Sequence, residues 1–154
     1  MAERRRILVA TDGSEYAKKG LEYAVSLAGG GGEILLLHVV PYEFDPTTSF
    51  WKTPQTEVLD KKYLRKLREK AEKLLEDEIK ELEVRIGSIL SEIKIISVVE
   101  FGEPSEKILE VAEGSKCDLI VLGVRGGSSW KKKLLGSVSN NVLERAKMPV
   151  LVIR

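Results

Sequence analysis

The residues whose types and spacing could do chemistry are Gly123-Val124-Arg125-Gly126 and, after nine residues, Gly136-Ser137. They follow the apolar run Asp118-Leu119-Ile120-Val121-Leu122, which reads as a buried parallel strand, so the glycines begin where a strand ends. Open α/β sheets bind ligands at that edge. Glycines there let backbone N–H groups approach an anion with no Cβ in the way. Ser137, followed by Val138 and Ser139, opens the next helix with a hydroxyl and amides not yet used in helix bonds. The chemistry implied is a triphosphate cradle. The plainer reading is a glycine-rich strand-to-helix connection capped by Ser137.

Other sites are disfavoured by what the chain lacks. No Gly-Lys-Ser/Thr follows a glycine at the interval of a Walker A loop, and no G-x-G-x-x-G supports a dinucleotide. His38, among the leucines and valines of a strand-like run, reads as a hydrogen-bonded core residue. With one His and one Cys (Cys117), neither a hydrolytic triad nor a multi-cysteine metal site can be built, and no intrachain disulfide. Two cationic features flank the cradle. Arg125 lies inside the first glycine pair as a candidate contact, and Lys131-Lys132-Lys133 after Trp130 reads as a phosphate-facing or a solvated charge run.

The elements that must position these residues alternate. Ile7 to Ala10 is a strand, and Thr11-Asp12-Gly13-Ser14 is a turn with capping residues ahead of a helix from Tyr16 to Ala28. Gly29 to Gly32 end that helix as a flexible connector, and Glu33 to Val40 is the second strand. Residues 42–56 form a long loop with unusual aromatic content, Tyr42, Phe44, Phe50 and Trp51, read as a satellite cluster or as a lid or docking surface. From about Glu57 to Ile86, apolar residues at three- and four-residue intervals, Tyr63, Leu67, Leu75 and Leu82 among them, predict one long amphipathic helix. Its Glu and Lys residues fall on the outer face, and the stripe is wide enough for a sheet rather than a coiled-coil seam. Ile93 to Phe101 is a third strand, and a helix runs from Pro104 and Ser105 to Gly114. After the fourth strand and the glycine loop come a helix over Val138 to Ala146 and a strand over Pro149 to Ile153. Such alternation favours an α/β fold with a parallel sheet and helices on both faces.

At 154 residues the chain suits one domain, 1–154, that buries roughly 70% of its unfolded surface without staples. The net charge of +1, from Lys+Arg 25 against Asp+Glu 24, gives no global reason to expect a nucleic acid or anionic membrane partner. The basic start is followed by too few apolar residues for a signal peptide, and no apolar run reaches the ~20 residues of a membrane span. A cytoplasmic setting is the expectation.

The spacing G-x2-G-x9-G-[ST] at Gly123, Gly126, Gly136 and Ser137 resembles the nucleotide loop of the ATP-binding branch of the universal stress protein family. The resemblance extends over nearly the whole chain, through Ile7 to Glu15, Leu36 to Val40, Phe101-Gly102-Glu103-Pro104 and Pro149 to Ile153. It implies a Rossmann-like sheet of five parallel strands in the order 3-2-1-4-5, which makes strands 1 and 4 neighbours at the switch point. It further implies an adenine pocket lined by the backbone of Ala10, Thr11 and Val39, and Asp12 as the carboxylate facing ribose or phosphates, directly or through water on Mg²⁺. The plain reading of Asp12 is a turn or capping residue. A last implication is a homodimer paired through the edge strand 149–153.

The function expected is an ATP-binding switch or stress-response regulator with ATP and Mg²⁺ as ligands, AMP remaining open. No water-orienting base is visible, so hydrolysis is expected to be weak or dependent on a partner. Two alternatives stand beside it: an adenylyl-transferring or ATP-pyrophosphate-cleaving enzyme on a related fold, and a nucleotide-independent dimeric interaction protein.

Overall fold

The computed structural model describes residues 4–41, 54–124 and 136–154. Its elements are β1 (Arg6–Ala10), α1 (Glu15–Ala28), β2 (Glu33–Val40), α2 (Pro54–Ile86), a 3₁₀ segment (Gly87–Glu92), β3 (Lys94–Phe101), α3 (Pro104–Gly114), β4 (Leu119–Gly123), α4 (Ser137–Arg145) and β5 (Val150–Ile153). The strands form one parallel sheet in the order β3-β2-β1-β4-β5, the order the family resemblance implies. At its centre Ala10 is paired with Leu37 on one side and Leu122 on the other, so β1 and β4 end within a residue of each other while β2 runs on to Val40.

Side chains alternate across a strand, and the two faces collect different cores. Ile7, Val9, Leu36 and Val121 pack with Leu21 of α1 and Leu75 and Leu82 of α2, while Leu8, Leu37 and Ile120 pack with Ile108 of α3 and Val142 of α4. The sheet is therefore covered on both faces, which is why its central strands are near-continuous apolar runs. No helix among the described residues is long and apolar enough to cross a membrane.

In a parallel α/β fold the chain enters each crossover helix from the carboxyl edge of the sheet, and two of the helix starts there carry their own side-chain caps. Ser14 caps α1, its Oγ accepting the Ala17 N–H at 3.2 Å, with Glu15 in the first turn. Glu103 caps α3, its carboxylate accepting the N–H groups of Ser105 and Glu106 and the Ser105 hydroxyl, with Pro104 at the first helical position. Gly136 precedes α4 and provides no side-chain cap.

Several expectations are adjusted. The long helix starts at Pro54, so only residues 42–53 of the expected loop are left outside it, and these lie outside the described residues, as do Trp130 and the three lysines. A 3₁₀ segment separates α2 from β3 where the sequence suggested no element. Tyr63, expected on the apolar stripe, is 62% exposed, because at 33 residues, about 50 Å by helix rise, α2 is far longer than the sheet it crosses. Among the described side chains of α2, the first buried one is Ala71. Glu78, expected among the outer-face acids, is instead 4% exposed, in the same helical row as Leu75 and Leu82.

Candidate functional site

A cavity of about 450 Å³ opens at the carboxyl edge of the sheet, where β1 and β4 lead to crossovers on opposite faces. The end of β1 supplies Ala10, Thr11 and Asp12, and β2 supplies Leu37, His38 and Val39. Gly123 closes β4 on the far side, and Gly136, Ser137, Val138 and Ser139 bring the first turn of α4 to the wall. Nine of the eleven residues singled out from the sequence thus line one cavity. The other two, Arg125 and Gly126, lie outside the described residues.

The turn from Thr11 to Ser14 is tightly bonded. Thr11 N–H donates to the Leu37 carbonyl at 2.8 Å, extending the β1 to β2 pairing by one residue, and its carbonyl lies 2.7 Å from His38 Nδ1. A carbonyl can only accept, so Nδ1 carries the proton in this contact. This is the hydrogen-bonded role expected of His38. One carboxylate oxygen of Asp12 accepts the Ser14 N–H at 2.9 Å, so Asp12 performs its turn role while exposed at the cavity.

The two described glycines of the cradle are constrained differently. A Cβ on Gly123 would fall 2.7 Å from Ala17 N and 2.8 Å from Tyr16 C, so the close crossing of α1 over the end of β4 already requires glycine there. A Cβ on Gly136 would meet nothing within 4 Å, and its backbone, at φ −63°, suits any residue. Nothing among the described residues demands glycine at 136. Its small size instead leaves the approach to the first amides of α4 open, which fits an anion at that helix start.

Pro104 and Ile108 of α3 complete the cavity and were not singled out from the sequence. They arrive through a crossover that no local spacing reveals. The only signal was the turn Phe101 to Pro104 within the family pattern. Cys117 is buried, and its thiol is pushed up to about 11 by burial, so it is inert. Among the described residues no group of three or more metal-ligating side chains is gathered.

A second cavity of about 480 Å³ lies at the opposite, amino edge of the sheet, lined by Arg4, Arg5, Arg6, Lys94 and Lys116 with Glu33 and Asp118. Helix C-termini converge there, and the arginines serve them. Arg5 donates to the Leu27 carbonyl at 3.2 Å, and Arg6 to the Ser115 carbonyl at 2.6 Å and to Glu33 at 2.8 Å. Arg5 and Arg6 therefore have a structural role at that edge.

A family model for the universal stress protein family matches residues 3–154. The chain belongs to the universal stress protein family. Universal stress protein MJ0577 of Methanocaldococcus jannaschii is 30% identical, with 97% of this chain and 94% of that protein covered. A universal stress protein of Thermus aquaticus is 34% identical, with 97% and 98% covered. The solved structure of MJ0577 aligns with 99% of this chain and 96% of its own at a TM-score of 0.72 and 31% identity. This universal stress protein shares its overall fold with the solved MJ0577 structure, and its switch-point cavity lies at the carboxyl edge of that fold.

Proposed function

We propose that this universal stress protein binds ATP in the carboxyl-edge cavity and works as a nucleotide-dependent switch or stress-response regulator rather than as a dedicated enzyme. The observation that carries the reading is Gly136, a glycine that none of the described residues requires, at a start of α4 with no side-chain cap among them, in a cavity of about 450 Å³. That volume suits a nucleotide. Adenine would lie against the backbone of Ala10, Thr11 and Val39, where N–H and C=O groups read its edge. The phosphates would take the amides of Ser137, Val138 and Ser139 and the loop holding Gly126 and Arg125.

Mg²⁺ keeps several waters and needs few protein carboxylates beside the phosphates, so Asp12 alone is sufficient to hold it, directly or through water. In this reading turnover is slow at most or depends on a partner. We further infer a single domain over 1–154, a cytoplasmic setting and a homodimer through the edge strand 149–153. In support, β5 pairs with β4 on one side alone among the described residues.

Calorimetric titration of nucleotide-stripped protein with ATP, AMP and GTP, with and without Mg²⁺, tests the reading. ATP-selective binding strengthened by Mg²⁺ is expected. No binding of any of the three would leave the glycine loop as a connection only. Light scattering at several protein concentrations tests the dimer, and a monomer throughout would remove it.

A further inference from the structure

Among the described residues, Glu78 is the one charged side chain that is buried. It lies midway along α2 between Leu75 and Leu82, 4% exposed, where the apolar stripe calls for another leucine. Its Oε2 accepts the Thr11 hydroxyl at 2.8 Å, while Oε1 is buried with no hydrogen-bond partner. Burial raises its pKa, opposed by the Thr11 hydroxyl and Lys18. A half-satisfied buried acid weakens a fold, so its position calls for a reason other than packing.

That reason lies in what Thr11 does. Thr11 Oγ also accepts the Gly13 N–H at 3.1 Å, so one hydroxyl links α2 to the turn that ends in Ser14. Gly13 has φ +82°, and Leu74, four residues before Glu78 on α2, lies 3.3 Å from where its Cβ would be. Leu74 and Glu78 thus grip the turn from beneath, at successive turns of one helix. Thr11 itself is held at its N–H by Leu37, at its carbonyl by His38 and at its hydroxyl by Glu78.

We propose that Glu78 is a positioning residue of the cavity, holding Thr11 and through it the Thr11–Ser14 turn in the conformation that presents Asp12 to the ligand. The part concerning ligand rests on the nucleotide-binding reading above; the part concerning the turn does not. Because the carboxyl acts here as a hydrogen-bond acceptor, an amide oxygen can replace it and an alkyl group cannot. The charged groups around it are Lys18 and Glu22 of α1, Glu81 and Arg85 of α2 and Asp12 of the turn. Lys18 is paired with Glu81 at 2.9 Å and Arg85 with Glu22 at 2.8 Å.

The test uses the full chain as wild type, Glu78→Gln and Glu78→Leu, each checked for folding by circular dichroism. ATP affinity is measured by calorimetry, and hydrogen exchange at the Gly13 amide is followed by NMR without nucleotide. Glu78→Leu should bind ATP about tenfold more weakly and exchange Gly13 about tenfold faster, with Glu78→Gln restoring both to within about threefold of wild type. The proposal is overturned if Glu78→Leu binds ATP as wild type does, if Glu78→Gln is as weak as Glu78→Leu, or if Gly13 exchange is equal in all three. If wild type binds no ATP, the nucleotide reading fails and Gly13 exchange alone decides whether Glu78 holds the turn. If Glu78→Leu does not fold, the comparison moves to Glu78→Gln and Thr11→Val, in which only Thr11→Val should lose Gly13 protection.

Discussion

The starts of α3 and α4 reach the same cavity, yet they are finished in opposite ways. The first amides of α3 are taken by the protein's own carboxylate, Glu103, whose charge also answers the positive end of the helix dipole. At α4 the corresponding position is Gly136, which has no side chain to offer. The same backbone dipole is thus neutralised internally in one helix and, among the described residues, has no side-chain cap in the other. For the proposed nucleotide site, this contrast is a firmer argument than the glycine motif alone. Gly123 shows why, since it stands in the motif and is nonetheless required by the crossing of α1.

The contrast between the glycines is open to the largest effects. Gly123→Ala should destabilise the fold by about 3 kcal/mol, because backbone atoms of Tyr16 and Ala17 occupy the new Cβ position and cannot rotate away. At this chain length that lowers the melting temperature by roughly 10 °C. Gly136→Ala should cost less than about 1 kcal/mol and weaken ATP instead. Equal melting temperatures for the two variants would remove the distinction between a packing glycine and a ligand glycine.

Next in size is the conversion of one helix start into the other. Gly136→Asp gives α4 an internal cap like that of α3, so the helix should be slightly stabilised while ATP affinity falls about a hundredfold, about 2.7 kcal/mol. Calorimetry beside a thermal melt reads both signs at once. Undiminished ATP affinity in Gly136→Asp would place the phosphates away from α4.

Much of this arrangement was legible in the chain, for identifiable reasons. Apolar runs alternating with amphipathic stretches are local, so the strands and helices appear within a residue or three of their bounds. The sheet order came from the family pattern, since local periodicity says nothing about which strands are neighbours. Glu78 escaped because a periodic count treats every glutamate in a stripe as solvent-facing, and only the packing of α2 against the Thr11 turn reveals the exception. Tyr63 escaped in the reverse sense, since periodicity continues past the end of the sheet while burial does not. Pro104 and Ile108 belong to the cavity through a crossover, and the capping carboxylate of Glu103 stands where Ser, Asp or Asn is usual.

The smallest effect concerns Glu103 itself. The Ser105 hydroxyl, with the backbone amides of Ser105 and Glu106, holds its carboxyl below the usual glutamate range. A lowered folded-state pKa means that the capping stability is fully present above the usual range and is lost as pH falls through the depressed value. Because the side chain is exposed, solvent screening keeps the contribution to about 1 kcal/mol or less. Glu103→Ala should therefore melt a few degrees below wild type at pH 7, and the gap should close as the pH falls through the acid range. Its ATP affinity should stay level or rise slightly, because a negative charge beside the cavity has been removed without touching α4. A loss of ATP affinity in Glu103→Ala would mean that the phosphates depend on α3, and the contrast between the two helix starts would then be wrong.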